Sequence, residues 1–586
     1  MFNYTLKKQG TDIIDTVLTN RNLTLEEANS IMNATLENYR VEACNLKNID
    51  KAAEIFNKAI KNHFKIGILI DSDCDGYCSA AMIYDYITNK IGYKNVTYKF
   101  HEEPKGHGLQ DYVIEWAEEE GIEFLIVPDA ACGASDEKGQ KTLNELGIGV
   151  LILDHHIPEY VPCETVVIVN PHQVDDVYSN KYLSGAGVTH KFIEYHSSIH
   201  GTGNECIDQL YDDLFALSLV SDMMDLKDSR ENRAYLNSGT KFKSLKSPFI
   251  STLFSDIGMN DKLSIEDLGF SAAPLINATV RFGDEKERNL IFRSLFLNDM
   301  IPSKKRGEVG KPTPMSFEAI RVARNLKRKQ DKERDKGVEK AQFLIEELGL
   351  NNDKVIALIV GDAINSSIRG LVANKLVNLY NKPVILLKIR TEDSSMLAGS
   401  VRTVNNNPIL KNFKDICLDT GLFEFCSGHQ GSFGVNLKLS NFGKLKKAFN
   451  EILKDIDTNT SYDIEAIYDQ KVPFTDIRDV ANLKDLWCFH IKEPLFLVKD
   501  VRINTDDVKK IGNATYTFKH NKTIFTKFYG SKVWFSNFIL QDELSFGGDI
   551  IVDMICKFKK IKSEQGETYI AEIVDTVSVV NDEYDF

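Results

Sequence analysis

Three short apolar runs, each ending in acidic or histidine-bearing residues, constrain this chain more than any other feature. KIGILI, starting at Lys65, leads into DSDCDG with Asp71, Asp73 and Asp75; LIVP leads into Asp129; GVLIL leads into Asp154, His155 and His156. The helical patterns DYVIEWAEEE and EKGQKTLNEL lie between them, and VTYKF and TVVIV supply two further buried-strand candidates. Strands alternating with helices predict an α/β fold built on a parallel sheet covered on both faces. In such sheets ligands gather beyond the carboxyl ends of the strands. A single aspartate there is ordinary capping or turn chemistry. Three strands that deliver such residues to one edge, with Asp222 ending the apolar run FALSLVSD, point instead to metal ligation. Oxygen donors with one or two imidazoles suit Mn²⁺ or Mg²⁺ rather than a thiolate zinc site.

Composition sets the bounds. A chain of 586 residues has room for roughly three to five domains. Its 10 cysteines are scattered without a C-x-x-C pair, so neither a zinc ribbon nor a disulfide framework is expected, and Cys74 and Cys78 read as reduced, partly buried residues. No run approaches the roughly 18 apolar residues of a membrane span, and the first residues lack the apolar core of a secretory signal, which places the protein in the cytosol. Lys and Arg total 71 against 85 Asp and Glu, a net −14, so binding of a nucleic acid needs a local concentration of positive charge. Lys304 to Lys336 has one: twelve basic against five acidic residues, on a segment with the spacing of one long helix.

The motifs carry a family likeness. DSDCDG, PDAACG, DHHIPE with VIVNP behind it, and SLVSDMMDL resemble, in order, the four motifs of the DHH-superfamily phosphoesterases. LSGAGVTHKF, ENRAYLNSG and FSAAPLINATVRFGD are similar to segments of its RecJ group, and INSSIRGLVANKLVNLYNKPV, LAGSVRT and CSGHQGSFG resemble the DHHA1 domain. There are departures: Asn365 or Ser366 stands where RecJ proteins usually have a histidine, EEPKGHGL replaces an arginine ahead of a GYG turn and leaves Lys105 or His107 for that phosphate contact, and the second motif has an insertion after Asp129.

The resemblance implies a parallel-sheet DHH catalytic domain (41–300) after an N-terminal helical segment (1–40). A basic linker helix (301–350) would join it to an α/β DHHA1 domain (351–458), with a β-rich, OB-like domain (459–586) of several short antiparallel strands behind. It implies a single-stranded-DNA-specific 5′-to-3′ exonuclease of repair or recombination that works with two divalent ions. The implied ligands are Asp71, Asp73, Asp129, His155 and Asp222, with Asp73 bridging. His156 would contact the scissile phosphate or donate a proton, Asp154 would orient His155, and Asp75 would have a structural or supporting role. Asn277, Arg281, Gly399, Ser400, Arg402, Gly428 and His429 would hold the strand. Aromatic residues of the last domain, Tyr516, Phe518, Phe528, Tyr529, Trp534 and Phe535 among them, divide between core and base-stacking positions. Replication or recombination proteins are the expected partners. Two alternatives stay open: a DHH phosphodiesterase on short oligonucleotides or cyclic dinucleotides, which has little use for a long basic helix and an OB-like domain, and a catalytically silent scaffold, which has little use for intact ligands.

Overall fold

The alternating pattern folds into the sheet it predicts. In the computed structural model five parallel strands lie in the order Val96–Phe100, Ile66–Ile70, Phe124–Pro128, Gly149–Leu153, Val166–Val169. All of Ile66–Ile70 and Phe124–Pro128 is buried, which is why these strands read as unbroken apolar runs rather than alternating ones. From Ile66–Ile70 the chain first crosses to Val96–Phe100 on one side and then to Phe124–Pro128 on the other. The strand order therefore reverses beside Ile66–Ile70, and the crevice at that reversal opens between the ends that carry Asp71 and Asp129.

The structure describes all residues except 1, 102–107, 202–208, 260, 405–406, 408, 456–460, 505–506, 512–514, 529–548, 564–565 and 579–586, and of His429 only the backbone. Lys105, His107, Tyr529, Trp534 and Phe535 thus lie outside the described residues. Two units emerge. One comprises Asn33–Lys336 with Asn365–Ile368; the other comprises Met1–Met32, Gly337–Ile364 and Arg369–Phe586.

In the first unit, helices Cys74–Asp85, Gly185–His200 and Asp212–Ser221 pack on one another beside the sheet. Asp73 caps the first of them by accepting the Gly76 N–H at 2.9 Å. Ser184 caps the second through Gly187. The basic segment forms part of the 33-residue helix Met315–Glu347, as its spacing predicts.

The second unit holds two mixed sheets. One runs Phe423–His429, Ser432–Lys438, Met396–Arg402, Val384–Ile389, Ile356–Ile359. The other has eight strands and differs from the expected set of short antiparallel strands. Asp549–Ser563 and Gly566–Ser578 are 15 and 13 residues long, and three of the pairings are parallel. One parallel partner is Tyr4–Leu6, which pairs with Tyr462–Asp469, while Leu18, Leu23, Ala28 and Ile31 pack against Leu483, Leu486 and Ile491. The N-terminal segment, helical by pattern, thereby completes a β unit that begins more than 400 residues later. Its helix stops at Met32 and resumes at Leu36–Tyr39, and Thr24 and Glu27 form the expected reciprocal cap. Phe518 lies in the core of this unit, whereas Tyr516 and Phe528 are half-buried.

Candidate metal centre

The strand ends bring the predicted acidic residues together, and local geometry explains how. Ile66–Ile70 ends before Asp71, so Asp71 and Asp73 owe their shared direction to the turn into the next helix, not to the strand pleat. Gly76 makes that turn possible: a Cβ there would lie 2.6 Å from Asp71 Cβ and 2.9 Å from its Cα. Asp129 takes a left-handed backbone with φ of 63°, and Ala131 one of 82°, conformations that cost a non-glycine residue on the order of 1 kcal/mol and survive where the surroundings impose them. The surroundings here include Gly185, whose Cβ would fall 2.4 Å from Asp129 Oδ1. Only glycine lets the N-terminus of Gly185–His200 come so close.

Three carboxylates from separate elements surround one imidazole nitrogen. His155 Nε2 lies 3.3 Å from Asp129 Oδ1, 3.5 Å from Asp222 Oδ2 and 4.0 Å from Asp75 Oδ2. Asp71, Asp73 and Asp129 also present oxygens within 4.8 Å of one another, as do donor atoms of Asp75, His155 and Asp222. Asp75 is thus both things the sequence left open. It accepts the Gly185 and Ala186 N–H groups at 2.9 Å each, capping the next helix, and it borders the cluster.

Burial sets the electrostatics. It pushes Asp75 up to about 7, helped by the charge of Asp73, and Asp222 up to about 8, helped by Asp75 and Asp73. Asp129 is pushed up well above the carboxylate range for the same reasons, and its Oδ1 is buried with no hydrogen-bond donor among the described residues. His155 is driven down to about 4 by burial and by the neighbouring His156, so it is a neutral imidazole with a lone pair to offer. Crowded, buried carboxylate oxygens around a neutral imidazole fit a hard divalent cation, which would relieve their repulsion.

Asp154 departs from its expected role. Its Oδ1 receives the His155 and His156 backbone N–H groups and sits 2.8 Å from His156 Nδ1, so its side chain orients the ring of His156, not that of His155. Burial alone would raise Asp154, but the bond to His156 and the charge of that ring bring it down to about 2, while the same bond lifts His156 to about 9. The pair is ionised, and the His156 side chain is 61% exposed.

Sequence reasoning missed His101. This buried residue follows the strand Val96–Phe100 directly, and its Nε2 lies 3.7 Å from Asp71 Oδ1 while accepting the Gly108 N–H at 3.1 Å. Its position immediately after VTYKF, at the same sheet edge, is the signal that could have revealed it.

The predicted strand-holding residues fall in two places. Asn277 and Arg281 lie one turn apart on helix Ala273–Phe282 of the first unit, which packs against Cys74–Asp85. Gly399, Ser400 and Arg402 lie on Met396–Arg402 of the second unit, where Ser400 and Arg402 share a face and a Cβ on Gly399 would lie 2.1 Å from the Leu386 carbonyl oxygen. Gly428 has φ of 120° and pairs with Phe433. On the long helix much of the basic charge is matched locally: Lys327 and Arg334 pair with Asp331, Lys336 with Glu333 and Arg324 with Asp256, while Lys329 lies over the Phe282 ring.

Comparison with known proteins agrees with this picture. Residues 65–219 match the DHH family, N-terminal domain. The chain is 30% identical over 583 residues to the SPbeta prophage-derived single-strand DNA-specific exonuclease YorK of Bacillus subtilis strain 168, with 96% of both chains covered. It is 27% identical over 495 residues to the single-stranded-DNA-specific exonuclease RecJ of the same organism, covering 80% of this chain and 56% of that one. The structure of RecJ from Thermus thermophilus in complex with Mn²⁺ has the same fold, with a TM-score of 0.69 at 18% identity over 97% of this chain and 76% of that one. With these motifs in order around a carboxylate–imidazole cluster, and with a relative matched along nearly its whole length, this chain belongs to the DHH family, on its RecJ branch.

Proposed function

We propose that the protein is a metal-dependent exonuclease that degrades single-stranded DNA from the 5′ end, in DNA repair or recombination. The observation that carries this reading is the meeting of Asp75, Asp129 and Asp222 around His155 Nε2 at the switch point of the sheet. The single-strand-specific activity in the names of its relatives supports the choice of substrate. Mn²⁺ or Mg²⁺, as two ions, would be held by Asp71, Asp73, Asp129, His155 and Asp222, with Asp75 joining from the first turn of its helix. Bound there, such ions neutralise the anionic phosphodiester and make a water nucleophilic near neutral pH.

The chain's own groups have distinct tasks. Asp154 fixes the His156 ring through Nδ1 and leaves the other edge of that exposed ring free to meet a phosphate oxygen or to protonate the leaving oxygen. Arg281 and Asn277 are assigned to the terminal phosphate. Gly399, Ser400, Arg402, Gly428 and His429 are assigned to the following backbone, where arginine and hydroxyl donors suit phosphate oxygens. We place the DHHA1 domain at 351–458 and the OB-like domain at 459–586.

The test is to incubate the protein with end-labelled single strands, duplex and dinucleotides in Mn²⁺, Mg²⁺ or chelator. Mononucleotide release confined to single strands with a free 5′ end, and only with metal, is expected. Asp73→Ala and His155→Ala should abolish it while thermal unfolding stays cooperative. Retained turnover in either variant, or equal attack on duplex, sinks the reading.

A further inference from the structure

Phe270 is 82% exposed, the most exposed aromatic side chain among the described residues. Its neighbours Leu268, Ala272 and Ala273 are buried, so the segment is packed and the ring alone stands out of it. An exposed phenyl group leaves apolar area in water that burial would stabilise by roughly 25 cal/mol per Å², which calls for an occupant.

The local backbone is unusual in the same place. Leu268–Ala272 forms a π-helical turn between Ile265–Asp267 and Ala273–Phe282. The extra residue re-aims the side chains that follow it, and such turns concentrate at functional sites. The turn also rests against the metal-site scaffold. A Cβ on Gly269 would lie 3.2 Å from Val220 Cγ1, two residues before Asp222, so Phe270 projects beside the chain that delivers that carboxylate. Met223, directly after Asp222, is 55% exposed and held at φ of 54°. Two exposed apolar side chains thus border Asp222.

Further along the same helix stand Asn277 and Arg281, seven and eleven residues after Phe270, spacings that return to one helical face. Asn277 Oδ1 is buried with no hydrogen-bond partner among the described residues. An apolar ring, an unmatched amide oxygen and a guanidinium along one face fit a nucleotide, with the base on the ring and the phosphate towards the arginine.

We propose that Phe270 is a specificity-determining residue of the exonuclease reaction, a platform on which a base near the 5′ end of the strand stacks while its phosphate is held beside the metal centre. The assignment rests on the exonuclease reading. Stacking does not distinguish one base from another, since every base has a π-face, so the platform selects for an unpaired base and not for sequence. A base engaged in a duplex has both faces covered by its neighbours and cannot use it.

The experiment compares wild type, Phe270→Ala and Phe270→Trp on 5′-labelled oligonucleotides that either are intact or lack the bases of the first two nucleotides. Phe270→Ala should raise KM on intact strands by roughly tenfold to a hundredfold, the effect of losing one base stack, with little change in kcat. Phe270→Trp should restore wild-type KM. On strands without those bases all three proteins should behave alike. An unchanged KM in Phe270→Ala, or an equal loss on intact and abasic strands, overturns the platform and leaves the exonuclease reading in place. A wild-type protein that cleaves no single strand in Mn²⁺ overturns both.

Discussion

At the scale of single residues, the centre is built by glycines as much as by ligands. Asp129 and the helix starting at Gly185 come closer than any side chain allows, and the two N–H groups at that helix start are held by Asp75. Gly185→Ala should therefore act through Asp129. The added methyl has no free volume, and overpacking of this kind costs about 1–3 kcal/mol. A displacement of the carboxylate by about 1 Å would lower kcat by about a hundredfold. Steady-state kinetics beside a denaturant titration separate the two effects, and a variant that loses stability but keeps full kcat would show that Asp129 does not depend on this contact. The ligand types were legible in the sequence because strand ends announce themselves. The partner of Asp154 was not, since the choice between two adjacent histidines is made by side-chain direction after the last strand residue.

At the scale of elements, the segments LSGAGVTHKF and ENRAYLNSG, noted for their family likeness, turn out to brace the scaffold. Glu231 of helix Arg230–Gly239 accepts the Val41 N–H, the Tyr178 hydroxyl and the Asn180 amide, and it meets Lys191 Nζ at 2.9 Å. Lys191 is wholly buried on Gly185–His200, the helix whose first residue abuts Asp129. Glu231→Ala leaves that ammonium and the other donors with fewer partners, and should destabilise the protein by about 3–5 kcal/mol, read as a lowered denaturant midpoint. A shift below about 0.5 kcal/mol would put Glu231 among ordinary surface substitutions and reject the strut. The long helix shows the opposite relation between sequence and structure. Its existence and length follow from periodicity, yet the +7 of its basic segment overstates what a polyanion meets, because i,i+3 and i,i+4 partners take up much of the charge locally.

At the scale of the whole molecule, folding and metal uptake are linked. Packing several carboxylates into one buried edge opposes folding, and a divalent cation that binds only the folded state reverses this. Mn²⁺ at about a hundred times its dissociation constant should add about 2.7 kcal/mol of stability, visible as a higher Tm than in chelator. The gain should vanish in Asp73→Ala, and an identical Tm with and without Mn²⁺ in the wild type would remove the metal from the account. What the sequence by itself determined is local: buried parallel strands, the acids at their ends, the long helix, the family motifs in order. These depend on neighbours a few residues away, and periodicity records them. Tertiary structure alone decided that Tyr4–Leu6 joins a sheet with Tyr462–Asp469, that His101 borders Asp71, that Asp154 serves His156, and that Phe270 is left uncovered. Those outcomes turn on which distant surfaces meet and which φ, ψ a turn adopts, and no local pattern of residues encodes either.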